Sequence, residues 1–374
     1  MYQRNLSKII EKELQEKEVL IIYGARQVGK TTILKNLLQD KESILLNCEK
    51  FSVSEILESK NLVRIKQLFG ENKIVALDEA QKISKIGEVL KLIYDDETFH
   101  CKIIATGSSS FDLAGKIIEP LTGRNRKLKL YPISLSEIKG KDGWVWIEEN
   151  LDSLLVFGQY PAVLMSAETR KEIVLDELAS DYLYKDILAH ERIRNPLLLR
   201  KLLKALALQV GSQVSVNELS GLLGIASQTV EKYLDLLEKN FVVYQLGTFS
   251  SNLRNELKKS RKYYFYDLGI RNALLNNFSP LSSRLDVGML WENFCVNERM
   301  KINCANEKRV NYYFWRTYDG AEIDLIEESN GVLELFEFKW RLKSNVKIPV
   351  SFEGKYGRKE FKVISRENAY LLLE

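Results

Sequence analysis

Eight residues near the N-terminus restrict this chain more than any other stretch. Gly24, Ala25, Arg26, Gln27, Val28, Gly29, Lys30 and Thr31 fit the pattern GxxxxGK[ST], with the apolar run Val19 to Tyr23 before it and the amphipathic run Thr32 to Leu38 after it. A strand that turns through glycines into a helix leaves backbone amides aimed at one point, where the helix dipole favours an anion. The pattern predicts a Walker A phosphate loop, with Gly24, Ala25, Arg26, Gln27, Val28, Gly29, Lys30, Thr31 and Thr32 as its ATP-binding residues. Lys30 is expected to reach the β- and γ-phosphates, and Thr31 to place its hydroxyl on Mg²⁺. A glycine-rich turn with an incidental lysine is the bland alternative, and the correct flanks on both sides argue against it.

A second strand end supplies carboxylates. In KIVALDEAQ the apolar residues Ile74 to Leu77 run into Asp78 and Glu79, the arrangement of a Walker B motif. Asp78 is expected to hold the magnesium shell with Thr31, and Glu79 to polarise the water that attacks the γ-phosphate. Helical spacing follows over Ile83 to Tyr94, then CKIIATGSSS reads as another strand, ending in Thr106, Gly107 and Ser108.

This order of strand ends resembles the core of an AAA+ ATPase, an α/β fold with a parallel sheet between helices. The resemblance implies a sensor residue on the γ-phosphate side, carried by Thr106 or Ser108. It also implies an arginine that completes the nucleotide site from the same or a neighbouring subunit, with Arg124 as the candidate and a homo-oligomer as its consequence. More closely, GARQVGKTT, LDEAQKI, ATGSSSFDL, LTGRNRKLKLYPISLSE and FGQYPAVL resemble a bacterial and archaeal subfamily of ATP-binding proteins that join an AAA+ core to a C-terminal domain.

At 374 residues the chain exceeds one ordinary domain. The expected division is an ATPase core over 1–133, a helical lid over 134–195 with a break at Gly158 to Pro161, a winged helix-turn-helix over 196–285, and a nuclease-like α/β domain over 286–374. In the third segment VSVNELSGLLGIASQTVEKYLDLLEKNFVVYQL reads as helix, turn, helix, strand. Its second helix would present Ser227, Gln228, Glu231 and Lys232 to a DNA groove, a picture that Glu231 and Asp235 weaken. The basic tract Arg254, Lys258, Lys259, Arg261 and Lys262 stands where a wing would lie and argues for DNA contact.

In the last segment Asp324, followed by Glu337, Phe338 and Lys339, matches the PD-(D/E)xK arrangement of nucleases, whose fold the resemblance implies here. Strand periodicity puts Glu337 and Lys339 on one face and Phe336 and Phe338 on the other. Asp324 and Glu337, with Glu292 and Glu322 assisting, are the expected carboxylates for a divalent metal, and Lys339 the expected cation on the phosphate. A solvated polar face is the competing reading.

The remaining composition narrows the setting. A net charge of +4 is compatible with nucleic acid without arguing for it. Four cysteines with no CxxC pair and two isolated histidines indicate neither a disulfide framework nor a zinc site. No apolar run reaches spanning length, so the expectation is a cytoplasmic protein with no membrane partner. Function is expected to be Mg-dependent ATP hydrolysis acting on or near DNA. The rival expectation is a nucleotide-dependent regulatory switch or scaffold with an inert nuclease-like fold that contacts protein.

Overall fold

The computed structural model describes residues 1–108, 121–181, 195–250, 261–342 and 346–374. It divides into two compact units, one of Met1–Ile133 with Lys239–Phe241, the other of Ser134–Glu238 with Val242–Glu374.

In the first unit the chain runs α1 (Leu6–Glu13), β1 (Val19–Tyr23), α2 (Lys30–Leu38), β2 (Ser43–Asn47), α3 (Phe51–Glu58), α4 (Leu62–Phe69), β3 (Ile74–Asp78), α5 (Ile86–Asp95), β4 (Lys102–Gly107) and β5 (Asn125–Lys129). The five strands form one sheet in the order β2-β3-β4-β1-β5 with every pair parallel. Parallel strands joined by helices are covered on both faces, which explains why Ile74 to Asp78 and Lys102 to Gly107 are buried at every position instead of alternating. Val75, Leu77, Ile103 and Ala105 share a core with Leu57, Ile65, Val89 and Leu90 from the helices. The sheet and its helices have the P-loop architecture expected from the sequence, with the ends of β1, β3 and β4 side by side.

The second unit opens with α6 (Leu135–Phe157), started by a reciprocal capping box between Ser134 and Glu137 and interrupted at Gly143, where φ is 83°. After a single turn at Pro161–Leu164 come α7 (Lys171–Asp181), α8 (Pro196–Leu208), β6 (Gln213–Val214), α9 (Val216–Leu223), α10 (Ser227–Lys239), β7 (Val243–Thr248) and β8 (Arg261–Phe265). Then follow α11 (Leu268–Leu275), α12 (Val287–Ala305), β9 (Asn311–Arg316), β10 (Glu322–Ser329), β11 (Val332–Phe338), α13 (Val350–Tyr356) and β12 (Glu360–Ile364). The FGQYP stretch is a close crossing: a Cβ on Gly158 would lie 2.1 Å from Asp267 Oδ1, while the Gln159 amide donates to Asp267 and its side chain to Glu298.

Among the described residues, seven strands of this unit form one sheet, in the order β12-β11-β10-β9-β7-β8-β6. The parallel pairing of β7 with β9 joins the strands expected for a wing to those expected for a nuclease-like sheet. β10 and β11 are a tight hairpin turned by Asn330 and Gly331, at φ 52° and 80°, the left-handed pair that a two-residue turn between twisted strands requires. Between Ile323 and Ile326 the pairing of β10 with β9 shifts register, which places an irregularity at Asp324.

Candidate nucleotide site and a second charged cluster

The phosphate loop leaves β1 at Tyr23 and enters α2 at Lys30. Gly24 is required by close approach, since a Cβ there would stand 2.2 Å from the Leu130 carbonyl oxygen. Gly29 takes φ 100° at the head of α2, a left-handed conformation that suits a residue without a side chain. The Lys30 ammonium folds back into the loop, 2.9 Å from both the Gly24 and Ala25 carbonyl oxygens, and is 5% exposed. Arg4 ties the loop from outside, donating to Val28 O at 2.7 Å and to Tyr131 O at 2.6 Å. Sequence reasoning had no signal for Arg4, because its partners are carbonyl groups at positions 28 and 131.

Walker A and Walker B meet at one carboxylate. Thr31 donates to Asp78 Oδ2 at 2.7 Å and Thr106 donates to Asp78 Oδ1, so both oxygens of a buried Asp78 carry hydroxyl donors. Among the described residues no basic side chain pairs with Asp78. A buried carboxylate held by neutral donors fits a cation nearby, which is the test a magnesium position has to pass. The negative character of this pocket registers on Cys48, whose thiol is pushed up to about 12 by burial first and by Asp78 and Glu79 next.

Glu79 sits at φ 54°, and its amide donates to Thr106 Oγ1 at 3.4 Å. The Gln81 amide donates both to Glu79 Oε2 and, at 3.1 Å, to Ser108 Oγ. The two sensor candidates therefore play separate parts: Thr106 touches Asp78, and Ser108 reaches Glu79 through Gln81. Gln81 is a site residue that the motifs did not single out. LDEAQ contains it, but only the turn after β3 swings it back beside Glu79.

Arg124 lies elsewhere. Its carbonyl accepts from Val19 N at the start of β1, so the whole of that strand, about 16 Å at the usual rise, separates it from the phosphate loop of its own chain. Its guanidinium donates to Asp95 at 2.8 Å. The expectation that Arg124 completes the site of the same chain is corrected by this register.

The carboxylates singled out in the C-terminal segment do gather. Pairing of Leu325 with Phe336 brings Asp324 beside Glu337, and Asp324 Oδ2 accepts from Phe338 N at 2.8 Å. Lys339 lies 2.5 Å from Glu337 Oε1 and 3.8 Å from Asp324 Oδ2. Phe336 and Phe338 stack on the other face, as alternation requires. Burial first, then Glu292 and Glu337, holds the Asp324 carboxyl well above the usual carboxylate range, and burial likewise raises Glu337.

One residue in this cluster departs from its expected role. Lys262, assigned from sequence to a basic DNA-facing tract, is 2% exposed and inserts its ammonium between Glu292 Oε1 at 2.9 Å and Glu322 Oε1 at 2.6 Å. It is therefore not available to a phosphate backbone. Arg261 pairs with Gln245 at 2.6 Å, and Arg254, Lys258 and Lys259 lie outside the described residues. On α10, Gln228, Glu231, Lys232 and Asp235 are exposed and Ser227 is half-buried, so the face offered to solvent carries both signs of charge. No group of three or more His, Cys, Asp or Glu is placed to hold a metal ion among the described residues. None of the described helices is long and apolar enough to cross a membrane.

Comparison with known proteins agrees with this geometry. Residues 16–139 match the AAA domain family, residues 148–281 a domain of unknown function (DUF8612), and residues 287–371 another (DUF4143). An uncharacterized protein of Haemophilus influenzae is 29% identical over 319 residues, covering 79% of this chain and 78% of its own. An uncharacterized protein of Mycobacterium tuberculosis is 26% identical over 340 residues, with 90% and 73% covered. Among solved structures, the Walker-type ATPase of Pyrococcus abyssi superposes with a TM-score of 0.54 at 18% identity, covering 74% of this chain and 96% of that one. The match of residues 16–139 to the AAA family and the shared fold agree with the Thr31–Asp78–Thr106 geometry: this stretch of the chain is a P-loop domain similar to the AAA family, followed by two regions similar to domains of unknown function.

Proposed function

We propose that the chain hydrolyses ATP with Mg²⁺ at the meeting point of β1, β3 and β4. The observation that carries this reading is Asp78, buried with Thr31 on one oxygen and Thr106 on the other, one residue before Glu79. The loop amides and Lys30 bind the β- and γ-phosphates, Thr31 and Asp78 hold the metal shell, and Glu79 takes the proton of the attacking water while Gln81 and Ser108 orient its carboxylate. Bound Mg²⁺ supplies charge neutralisation between the phosphates. Lys30→Ala should abolish ATP binding, whereas Glu79→Gln should bind ATP and turn it over about 10²-fold more slowly or worse. Equal turnover by wild type and Glu79→Gln at saturating ATP and Mg²⁺ would sink the assignment of Glu79. Arg124 enters this reading only through a neighbouring subunit, in a homo-oligomer formed with ATP.

For the rest of the chain we favour a nucleotide-dependent regulatory switch over a DNA-acting enzyme. Burial of Lys262 and the mixed charge of the α10 face support that choice. DNA binding that weakens steeply as salt rises from about 50 to 200 mM, with a slope of several charges, would reverse it.

A further inference from the structure

The carboxylate cluster of the second unit has a resident cation, and it belongs to the chain. Glu292 comes from α12, Glu322 and Asp324 from β10 and Glu337 from β11, and the four converge in one charged pocket. Into it β8 sends Lys262, whose position in the sheet is secured by pairing with Gln213 on one side and Leu246 on the other. The stem is fully covered, and the ammonium also sits 5.4 Å from the centre of the Phe314 ring. Tyr264, two residues on and on the same strand face, donates to the same Glu292 oxygen at 2.7 Å. Arg316 approaches the outer oxygen of Glu322 at 3.6 Å.

This occupancy engages at least one oxygen of every carboxylate in the pocket. Glu292 Oε1 is shared by Lys262 and Tyr264, Glu322 by Lys262 and Arg316, Asp324 Oδ2 by a backbone amide and Lys339, and Glu337 Oε1 by Lys339. A metal ion bonded at ~2.0–2.2 Å to the oxygens that flank Lys262 would lie against its ammonium, two positive centres in a dry pocket. Between Glu292 and Glu322 the residues thus do not fit a divalent metal while Lys262 is in place. What the pocket retains is four carboxyl groups facing Lys262, Lys339 and Arg316, together with Glu337 Oε2, a buried oxygen that lacks a hydrogen-bond partner. The chain's own ammonium fills the space between two of those groups.

We propose that the Lys262 ammonium stands in for a divalent cation among Glu292, Glu322, Asp324 and Glu337, keeping the second unit metal-free, and that removing this one side chain uncovers a divalent-cation site. The proposal is independent of the nucleotide loop, and its test uses Mn²⁺ alone, without nucleotide, on the full chain. Mn²⁺ binding is followed by electron paramagnetic resonance of the free ion, for wild type, Lys262→Met, Lys262→Gln and each combined with Asp324→Asn. Asp324→Asn separates this pocket from Asp78. The expected result is no Asp324-dependent Mn²⁺ binding in wild type, and in the Lys262 variants one added Mn²⁺ whose affinity falls roughly tenfold or more with Asp324→Asn. Lys262→Gln retains a donor for the two glutamates and guards against a folding failure of Lys262→Met. An Asp324-dependent Mn²⁺ site in wild type overturns the proposal, and so does a folded Lys262 variant that binds no more Mn²⁺ than wild type. If neither variant folds, the wild-type measurement decides alone.

Discussion

Lys30 and Lys262 are both almost fully buried, at 5% and 2% exposed, yet their surroundings are opposite in kind. Around Lys30 the neighbours given by the loop are neutral carbonyl oxygens from residues five and six positions earlier, and the residue sits where a helix begins. Around Lys262 the neighbours are acidic side chains 30 and 60 residues later. The first lysine is held by a local turn and its charge suits an incoming anion. The second completes a charge balance within the fold. A buried lysine in a chain like this is therefore not by itself a functional signal: what matters is whether the surrounding oxygens already cancel it.

That contrast can be broken most directly by removing each charge. Lys262→Met should cost about 3–5 kcal/mol, because it strands buried carboxylates without their cation. Lys30→Met removes the hydrogen bonds to Gly24 O and Ala25 O and should change stability by about 1–3 kcal/mol, less than Lys262→Met, while ATP binding disappears. Urea melts of the two variants, run beside ATP titrations, read both quantities; similar stability losses would erase the distinction.

A smaller effect comes from pH. Asp324 is raised in the folded state by burial first, then by Glu292 and Glu337, against the pull of Lys262 and Lys339; Glu322, Tyr264 and Cys295 also face this pocket. A carboxyl raised on folding binds its proton more tightly in the native state, so stability falls as pH climbs from the usual carboxylate range through the folded value. Asp286 has the opposite sign: lowered to about 2 by Arg284 and Arg271 in spite of burial, it supports the fold above the usual range and loses that support as pH drops toward 2. Asp324→Asn should flatten the decline above about pH 4 and leave the acid limb unchanged, as read from melting temperature against pH. A wild-type slope that survives Asp324→Asn would place the raised proton elsewhere.

The smallest effect belongs to Arg124. Its pair with Asp95 is partly exposed, so Arg124→Ala should change stability by less than about 1 kcal/mol. ATP binding to the single chain should be unaltered, since β1 stands between Arg124 and the loop. A turnover loss that appears only at high protein concentration would assign the arginine to a neighbour's phosphate.

Much of the nucleotide site could be read from the sequence because its parts are contiguous. GxxxxGK[ST] encodes strand, turn and helix in one run, and a buried parallel strand ending in Asp78–Glu79 has few other readings. Arg4 escaped because its partners are carbonyl groups at positions 28 and 131, and Gln81 because one of its partners is Ser108, 27 residues later on another strand end; no spacing rule connects them. In the second unit, the alternation of LELFEFK puts Glu337 and Lys339 on one face, and strand pairing brings Asp324 beside Glu337. The tract ending in Lys262 has the pattern of a solvent-facing charge run, although burial reverses that at its last residue.

What the sequence determined by itself is the chemistry that depends on near neighbours: the phosphate loop, the acidic strand end, the helix caps and the alternation of β11. What only the tertiary structure decided is the state of charge in each pocket. A side chain's charge is cancelled or left available by groups brought from distant strands, and Lys262 meets Glu292 and Glu322 only because β8 and β10 enter the same sheet while α12 packs beside it. Coulomb energy in a dry interior depends on distances of a few ångströms, and one dimension of sequence does not carry those distances.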